Sequence, residues 1–212
     1  MFYYYGRKKR IAGLYPEPRH KIIIEPFAGS AAYSLHGDRW KLDVRLFDTN
    51  VHVKDVWEYI LTASKKDILD LPESIEDSLP IGANKLIGFH LNPGSTQPKK
   101  TPSKFNRWPA GRKYIAENIH KIKHWQFFWD SGLKTKNIEA TWFIDPPYQN
   151  AGRYYGCDPL SYPELAEWVT SRNGQVIACD NPSATWLNFE QLKGSSHASI
   201  GKRKLNEGVF LI

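Results

Sequence analysis

The sequence contains few of the residues that form disulfides or bind metal ions. Cys157 and Cys179 are the only cysteines among 212 residues, and there is no CxxC pair and no cluster of histidines. This argues against a disulfide framework and gives no zinc-binding pattern, so we expect a reducing compartment and no metal. The sequence also has no apolar run of the roughly 20 residues that span a bilayer, and no apolar core of a signal peptide. We therefore expect a cytoplasmic protein without a membrane partner.

Aromatic and basic side chains, in contrast, are abundant. The chain has eight Trp, eleven Tyr and ten Phe, and its formal net charge is +7. Between residues 85 and 136, eleven Lys and Arg face only two acids, which gives this segment a net charge of +9. A smaller basic cluster occupies residues 7–10. Such concentrated positive charge predicts an anionic partner, with nucleic acid as the first candidate and a solvated surface as the alternative.

The pattern of apolar residues predicts an α/β fold in a single domain of residues 1–212. Strand-like runs occur at residues 21–25, 44–48, 140–144 and 175–180, and helical spacing occurs at residues 53–61, 113–125 and 162–169. Strands that alternate with helices are typical of a mostly parallel sheet. Residues 28–32 predict a tight turn into a helix that runs to about residue 36. Residues 196–200 and 208–212 predict a terminal antiparallel hairpin.

One long segment interrupts this alternation. Residues 62–139 contain the segment of net charge +9, and residues 95–111 within them contain three prolines and show no periodicity. A loop of this length in a compact domain is usually functional or disordered. We interpret residues 62–139 as an embedded basic insertion and a candidate recognition region.

The most informative motif is Asp145-Pro146-Pro147-Tyr148, which directly follows the strand predicted at residues 140–144. Neither proline can donate a backbone hydrogen bond and both fix φ, so the strand must end there. The carboxylate and the ring are then held at the edge where open α/β sheets bind ligands. Asp145 and the Pro146 carbonyl can each accept one hydrogen of an aromatic amine while Tyr148 stacks on its ring, which makes the amine nucleophilic. A turn without function is the alternative.

A second motif follows the first predicted strand. Glu25-Pro26-Phe27-Ala28-Gly29-Ser30 provides a glycine turn, and Asp48 ends the next strand nineteen residues after Gly29. In Rossmann-type sites an acid about 20 residues beyond the glycine turn binds a nucleoside ribose. Gly29 and Asp48 therefore predict a nucleoside cofactor, whereas a tight turn at Gly29 and a helix N-cap at Asp48 are the structural alternatives.

Together these motifs resemble those of the D12-class, Dam-like DNA adenine-N6 methyltransferases, in a compact form such as phages carry. Residues 4–8, Tyr-Tyr-Gly-Arg-Lys, are similar to the family's amino-terminal aromatic-x-Gly-x-Lys segment, and residues 25–30 to its S-adenosylmethionine loop. Asp48 is similar to its ribose acid and residues 145–148 to its catalytic motif. Residues 89–92, followed by Phe105-Asn106, resemble the stretch that leads into its target-recognition region. The resemblance covers nearly the whole chain and preserves the order of the motifs.

The resemblance implies a Rossmann-like S-adenosylmethionine-dependent methyltransferase fold and a site-specific DNA methyltransferase that modifies a flipped-out adenine in double-stranded DNA. It also implies a bacterial or phage-infected host cell, with a phage or restriction-modification role. The catalytic residues would be Asp145, Pro146, Pro147 and Tyr148. The cofactor-binding residues would be Tyr4, Gly6, Lys8, Glu25, Pro26, Phe27, Gly29, Ser30, Asp48 and Asp145. The residues that contact nucleic acid would be Arg7, Arg10, Lys99, Lys100, Lys104, Arg107, Arg112 and Lys113.

Other functions remain open. RNA adenine-N6 methyltransferases share the Asp-Pro-Pro-Tyr core, although an insertion ahead of the catalytic strand favours DNA. A catalytically degenerate nucleic-acid-binding subunit would keep the fold without the chemistry, and the intact Asp145, Pro146 and Tyr148 argue against it. Methylation of cytosine at N4 is less favoured, because that group more often resembles Ser-Pro-Pro-Tyr. Neither a monomer nor a weak dimer is favoured by the sequence.

Overall fold

The computed structural model describes residues 1–150, 160–195 and 206–212, and the backbone of two short strands between the last two ranges. Its helices are α1 (Val51–Thr62), α2 (Lys65–Leu69), α3 (Ile81–Leu91), α4 (Trp108–Asn118) and α5 (Tyr162–Thr170). Its strands are β1 (Ile22–Glu25), β2 (Asp43–Phe47), β3 (Gln126–Phe128), β4 (Ala140–Ile144), β5 (Gly174–Asp180), β6 (Glu190–Gln191), β7 (Ser199–Ile200), β8 (Arg203–Lys204) and β9 (Gly208–Leu211).

Seven of these strands form one sheet in the order β3-β2-β1-β4-β5-β9-β6. Strands β3, β2, β1, β4 and β5 are parallel to one another, whereas β9 is antiparallel to both β5 and β6. The prediction of a mostly parallel α/β sheet is therefore confirmed. The chain order reverses between β1 and β4, and the crevice outside the carboxyl ends of strands at such a reversal is where open α/β sheets bind ligands.

The sheet separates two apolar cores. Ile23 and Phe143 pack in the core that contains α1, α3 and α4, while Ile24 and Trp142 pack in the core that contains α5. Every residue of β4 is buried, as expected for a central parallel strand covered on both faces. The rigid centre of the sheet therefore carries the segment that begins at Asp145.

The predicted helix up to residue 36 is wrong. Residues after Gly29 form successive turns instead, since Gly29 and Ala31 adopt positive φ values of 46° and 49°. The left-handed region interrupts a right-handed helix, and Gly37, with φ of 55°, ends the segment in the same way.

The terminal antiparallel hairpin is confirmed, but with a different pairing. Strand β7 pairs with β8 in a separate two-stranded sheet. Strand β9, which we expected to pair with residues 196–200, lies between β5 and β6 instead. Residues 196–198 of that expected pairing lie outside the described residues, as does Cys157.

Part of the segment 62–139 belongs to the central sheet. Its residues 126–128 form β3, the edge strand that pairs in parallel with β2. Three residues with one partly buried position give no period-2 signal. The aperiodic loop also ends earlier than predicted, at Arg107, because α4 begins at Trp108 and includes Gly111. Glycine is required at position 111 because a Cβ there would collide with the His90 ring. Within the described part of the chain, no helix has the length and apolar character of a membrane span.

Candidate functional site

A cavity of about 340 Å³ opens at the reversal of strand order, in the size range of small-molecule sites. Acidic residues reach it from three neighbouring strands: Glu25 ends β1, Asp48 follows β2 and Asp145 follows β4. Nine of the ten predicted cofactor-binding residues line it, namely Tyr4, Gly6, Lys8, Glu25, Phe27, Gly29, Ser30, Asp48 and Asp145. The tenth, Pro26, is buried behind the loop against Gly132. Of the four predicted catalytic residues, Asp145 and Pro147 line the cavity, whereas Pro146 and Tyr148 do not. The structure thus brings together the amino-terminal segment, the glycine turn and part of the Asp-Pro-Pro-Tyr motif.

The Asp-Pro-Pro-Tyr segment is fixed from both sides. The carbonyl of Pro147 accepts a hydrogen bond of 2.7 Å from the Tyr162 hydroxyl. The backbone N–H of Gln149 donates to Oδ2 of Asp180, the last residue of β5, at 3.1 Å. Asp180 is itself held by the Trp186 indole N–H at 2.7 Å. Helix α5 and strand β5 therefore hold the turn that follows β4.

Lys8 and Asp145 form the central ion pair of the site. Lys8 Nζ lies 2.8 Å from Asp145 Oδ1, and the two side chains are 8% and 21% exposed. Burial raises the pKa of Asp145 to about 6, with Lys8 opposing that rise. Burial disfavours the Lys8 ammonium, but the carboxylates of Asp145 and Glu207 outweigh it and raise the pKa of Lys8 above its usual value. Asp145 is therefore mostly a carboxylate, and hence a hydrogen-bond acceptor, at pH 7 and above.

Glu207 is a site residue that the sequence motifs did not reveal. Its Oε1 accepts hydrogen bonds from the hydroxyls of Tyr15, at 2.7 Å, and Tyr148, and it lies 3.8 Å from Lys8 Nζ. Glu207 thus holds the Tyr148 hydroxyl, and Lys8 Nζ lies 4.5 Å from the centre of the Tyr148 ring. Glu207 precedes β9 and lies far from the motif in sequence, so only the sheet topology could have identified it.

The glycine turn is held by Asp48. Its Oδ2 accepts the N–H of Gly29 at 2.9 Å and its Oδ1 accepts the N–H of Asn50 at 2.8 Å. Burial raises the pKa of Asp48 to about 6. The Tyr4 ring lies so close to Gly29 that an added Cβ would be 3.1 Å from Cδ1. Asp48 thus has a structural role that the expected ribose contact did not include.

Glu25 is the most deeply buried acid of the cavity. It is 2% exposed, and its Oε1 accepts hydrogen bonds from the backbone N–H and the hydroxyl of Ser34. Burial raises its pKa to about 7. Ser30, also predicted to bind the cofactor, is 4% exposed at the cavity wall. Among the described residues, no group of His, Cys, Asp or Glu is arranged to hold a metal ion.

The predicted nucleic-acid-binding residues fall into two groups. Six have exposed side chains, namely Arg10, Lys99, Lys100, Lys104, Arg107 and Lys113. The other two make contacts within the protein. Arg112 donates to the carbonyl of Leu71 and to Glu73, and Arg7 stacks on Tyr3 and lines the cavity.

The basic loop between α3 and α4 is anchored to the rest of the protein. The backbone N–H groups of Lys99, Ser103 and Arg107 donate to carbonyls of α3. A Cβ on Gly88 would lie 2.7 Å from Pro98, so only glycine permits this approach. The N–H of Tyr5 donates to the carbonyl of Ser95 at 3.2 Å. The loop therefore contacts the same amino-terminal segment that delivers Lys8 to Asp145.

Comparisons with known proteins add little to this geometry. No protein-family model matches the chain, and no curated protein matches its sequence. Among solved structures, a conserved hypothetical protein of Streptococcus pyogenes is similar at a TM-score of 0.39 and 8% identity, over 90% of this chain and 83% of that one. A similarity of this extent carries no argument about function.

Proposed function

We propose that this protein is an S-adenosylmethionine-dependent methyltransferase that modifies the N6 amino group of adenine in duplex DNA. The observation that carries the proposal is the convergence of nine expected cofactor-binding residues, Asp145 among them, and of Pro147 from the same turn on one cavity. These residues come from the amino terminus, from β1, from β2 and from β4. They are far apart along the chain, and the parallel sheet brings them together at the carboxyl ends of its strands.

The sheet supports the same proposal. Its order from β3 to β5, with the reversal between β1 and β4, is that of nucleotide-binding α/β sheets. The added antiparallel β9 is compatible with the methyltransferase form of the Rossmann-like fold. The acids from β1, β2 and β4 face the crevice where such sheets bind their cofactor, and the cavity is of suitable size.

The residues of the cavity fit the cofactor. Asp48 retains lone pairs beyond its two backbone hydrogen bonds and could accept ribose hydroxyls, while Glu25 and Asp145 could face the positively charged sulfonium and amino groups. S-adenosylmethionine would supply an electrophilic methyl group. Phe27 and Tyr4 would provide the apolar walls.

The Asp145–Tyr148 turn would hold the target amine. Asp145 and the carbonyl of Pro146 would accept its two hydrogens, and the Tyr148 ring would stack on the base. Lys8 keeps Asp145 ionised by opposing the effect of burial on its pKa. An amine inside a duplex cannot reach this turn, so the base must leave the helix at a cost of a few kcal/mol.

The exposed basic side chains would bind the phosphates. Lys99, Lys100 and Lys104 extend from the anchored loop, and Arg107 and Lys113 follow at α4. Sequence-independent attraction of this kind brings DNA to the site and depends steeply on salt.

Expression in a bacterial host that lacks adenine methylation tests the proposal. Genomic DNA and total RNA are digested to nucleosides, and the methylated bases are identified by mass spectrometry. We expect N6-methyladenine in the DNA of cells that express the wild type, and none in cells that express equal amounts of Asp145→Ala. N6-methyladenine confined to RNA would replace the proposal with RNA methylation, and N4-methylcytosine would replace adenine with cytosine. No modified base in either would contradict methyl transfer.

A further inference from the structure

Glu207 is a buried carboxylate that the proposed chemistry does not use. It is 5% exposed, and its Oε1 accepts hydrogen bonds from the hydroxyls of Tyr15 and Tyr148. With Lys8 Nζ 3.8 Å away, three donor groups surround one oxygen. A buried acid costs free energy unless it is paired and hydrogen-bonded, so each of these contacts offsets the cost of placing Glu207 here.

The backbone of Glu207 is anchored as firmly as its side chain. Its carbonyl accepts a hydrogen bond of 2.8 Å from the N–H of Leu192 and one of 3.1 Å from the Gln191 amide. The next residue, Gly208, pairs with Asp180 of β5. The backbone of Glu207 is therefore fixed in place. The position of the Tyr148 hydroxyl is set by Glu207, and not the reverse.

The hydrogen bond to Glu207 determines which way the Tyr148 ring points. Hydrogen bonds to the Pro147 carbonyl and from the Gln149 N–H hold the backbone on either side of Tyr148, but its ring can still rotate about two side-chain bonds. Holding the hydroxyl fixes the rotation about the Cα–Cβ bond and hence where the ring lies. In the held orientation the Lys8 ammonium lies 4.5 Å from the ring centre, on the side that also contains the Lys8–Asp145 ion pair.

We infer that Glu207 is a positioning residue for the target base, an inference that rests on the proposed function. By holding the Tyr148 hydroxyl it keeps the ring next to Lys8 and Asp145, where a base must lie for its amine to reach that carboxylate. Glu207 touches neither base nor cofactor and acts only through Tyr148. Its contribution is to the geometry of the reacting complex and not to the binding of either substrate.

A kinetic double-mutant cycle tests this inference. The proteins are the wild type, Glu207→Met, which removes the accepting oxygen, Tyr148→Phe and the double variant, and the matched control is Glu190→Met, at an exposed glutamate on β6. The substrates are tritiated S-adenosylmethionine and genomic DNA from a host without adenine methylation. We expect kcat to fall about tenfold to a hundredfold in each single variant, and no further in the double variant, because both substitutions break the same hydrogen bond.

Binding should be unaffected by these substitutions. The KM for DNA and the dissociation constant for S-adenosylmethionine should stay within about twofold of wild type, a separation that a general loss of structure would not produce. If Glu207→Met does not fold, Tyr148→Phe still decides, because it removes only the hydroxyl. Wild-type kcat in Tyr148→Phe, or independent effects in the double variant, would overturn the inference while leaving the methyltransferase proposal intact. No methyl transfer by the wild type would overturn both.

Discussion

Lys8 Nζ lies 2.8 Å from Asp145 Oδ1, and this ion pair joins the amino-terminal segment to the end of the central strand β4. The two residues are far apart in sequence, and each belongs to a segment expected to contribute to the site. Because the pair is largely buried, each partner sets the charge of the other. The ion pair therefore couples folding of the amino-terminal segment to the state of the carboxylate proposed to receive the target amine.

Removing Lys8 should destabilise the protein and shift its activity to higher pH. Lys8→Met leaves a buried carboxylate without its partner, which costs about 3 kcal/mol of unfolding free energy at pH 7. Because Lys8 lowers the pKa of Asp145, that pKa should rise above about 6 in the variant. Urea unfolding and the pH dependence of kcat measure the two effects. Lys65→Met, at an exposed position at the start of α2, is the control, and a similar loss there would discount the ion pair.

Glu25 should make the protein less stable as pH rises from about 5 to 8. Its pKa is about 7 in the folded state, against 4.5 as its ordinary value, so the folded state binds its proton more tightly than the unfolded state does. Stability then falls as pH rises through this window, on the order of 2–3 kcal/mol in total. Glu25→Gln keeps an acceptor for Ser34 but cannot titrate. Urea unfolding across this pH range should give a flatter profile for the variant, and parallel profiles would exclude Glu25 as the source.

Ala31 should carry backbone strain that glycine would relieve. It is the only residue other than glycine with positive φ in the described ranges, and its methyl group is fully buried. Left-handed backbone costs an L-residue about 1–2 kcal/mol, and a glycine would not bear this cost. The gain offsets the two losses of the substitution, which are the buried methyl group and the greater conformational freedom of glycine in the unfolded chain. We therefore expect Ala31→Gly to be nearly neutral, whereas Ala28→Gly, where φ is negative, should cost about 1–2 kcal/mol. Equal losses by calorimetry would show that Ala31 is unstrained.

Asp48 should serve the cofactor and the glycine turn together. Asp48→Asn replaces one accepting oxygen with an amide that faces a backbone N–H, so one of the hydrogen bonds to Gly29 and Asn50 is lost. We expect a loss of about 1–3 kcal/mol in stability and weaker binding of S-adenosylmethionine in titration calorimetry. Weaker binding with unchanged stability would assign Asp48 to the ribose alone.

The anchored basic loop should contact DNA phosphates. Replacing Lys99, Lys100 and Lys104 by Gln should weaken duplex binding and flatten its log–log salt dependence by about 0.9 for each phosphate that is no longer neutralised. The control replaces Lys21, Lys41 and Lys136, which are exposed and precede β1, β2 and β4 at the opposite edge of the sheet. Fluorescence anisotropy at several salt concentrations compares them. Equal slopes in the two triple variants would assign the phosphate contacts to another surface.

Sequence patterns predicted the parts of the fold that depend on local signals. The apolar run at residues 140–144 and the two prolines that follow it specify both the strand and its end. The pattern could not predict β3, because three edge residues carry no period, nor the turns after Gly29, because a positive φ at Ala31 has no signature in an alanine. The pairing of β9 with β5 depends on the whole sheet rather than on nearby residues.

The candidate site could likewise be predicted only where its residues form a local motif. The sequence identified Asp145 and the glycine turn because each belongs to a motif of contiguous residues. The sequence did not identify Glu207, because it belongs to no motif and contacts Tyr148 only in the folded structure. Arg112 was assigned to DNA from its charge, whereas its contacts with Leu71 and Glu73 became apparent only from the packing of α2 against α4.

A methyl-transfer assay with purified protein is the decisive test of Asp145-dependent methylation of adenine in DNA. Wild-type protein and Asp145→Ala are incubated with tritiated S-adenosylmethionine and either duplex DNA from an unmethylated host or ribosomal RNA, and label in the polymer is followed over time. We expect label in DNA with the wild type, identified as N6-methyladenine after digestion, and at least about a hundredfold less with Asp145→Ala at equal helical content. Undiminished transfer by Asp145→Ala, or no transfer to DNA by a wild type that binds the cofactor, would contradict the proposed function.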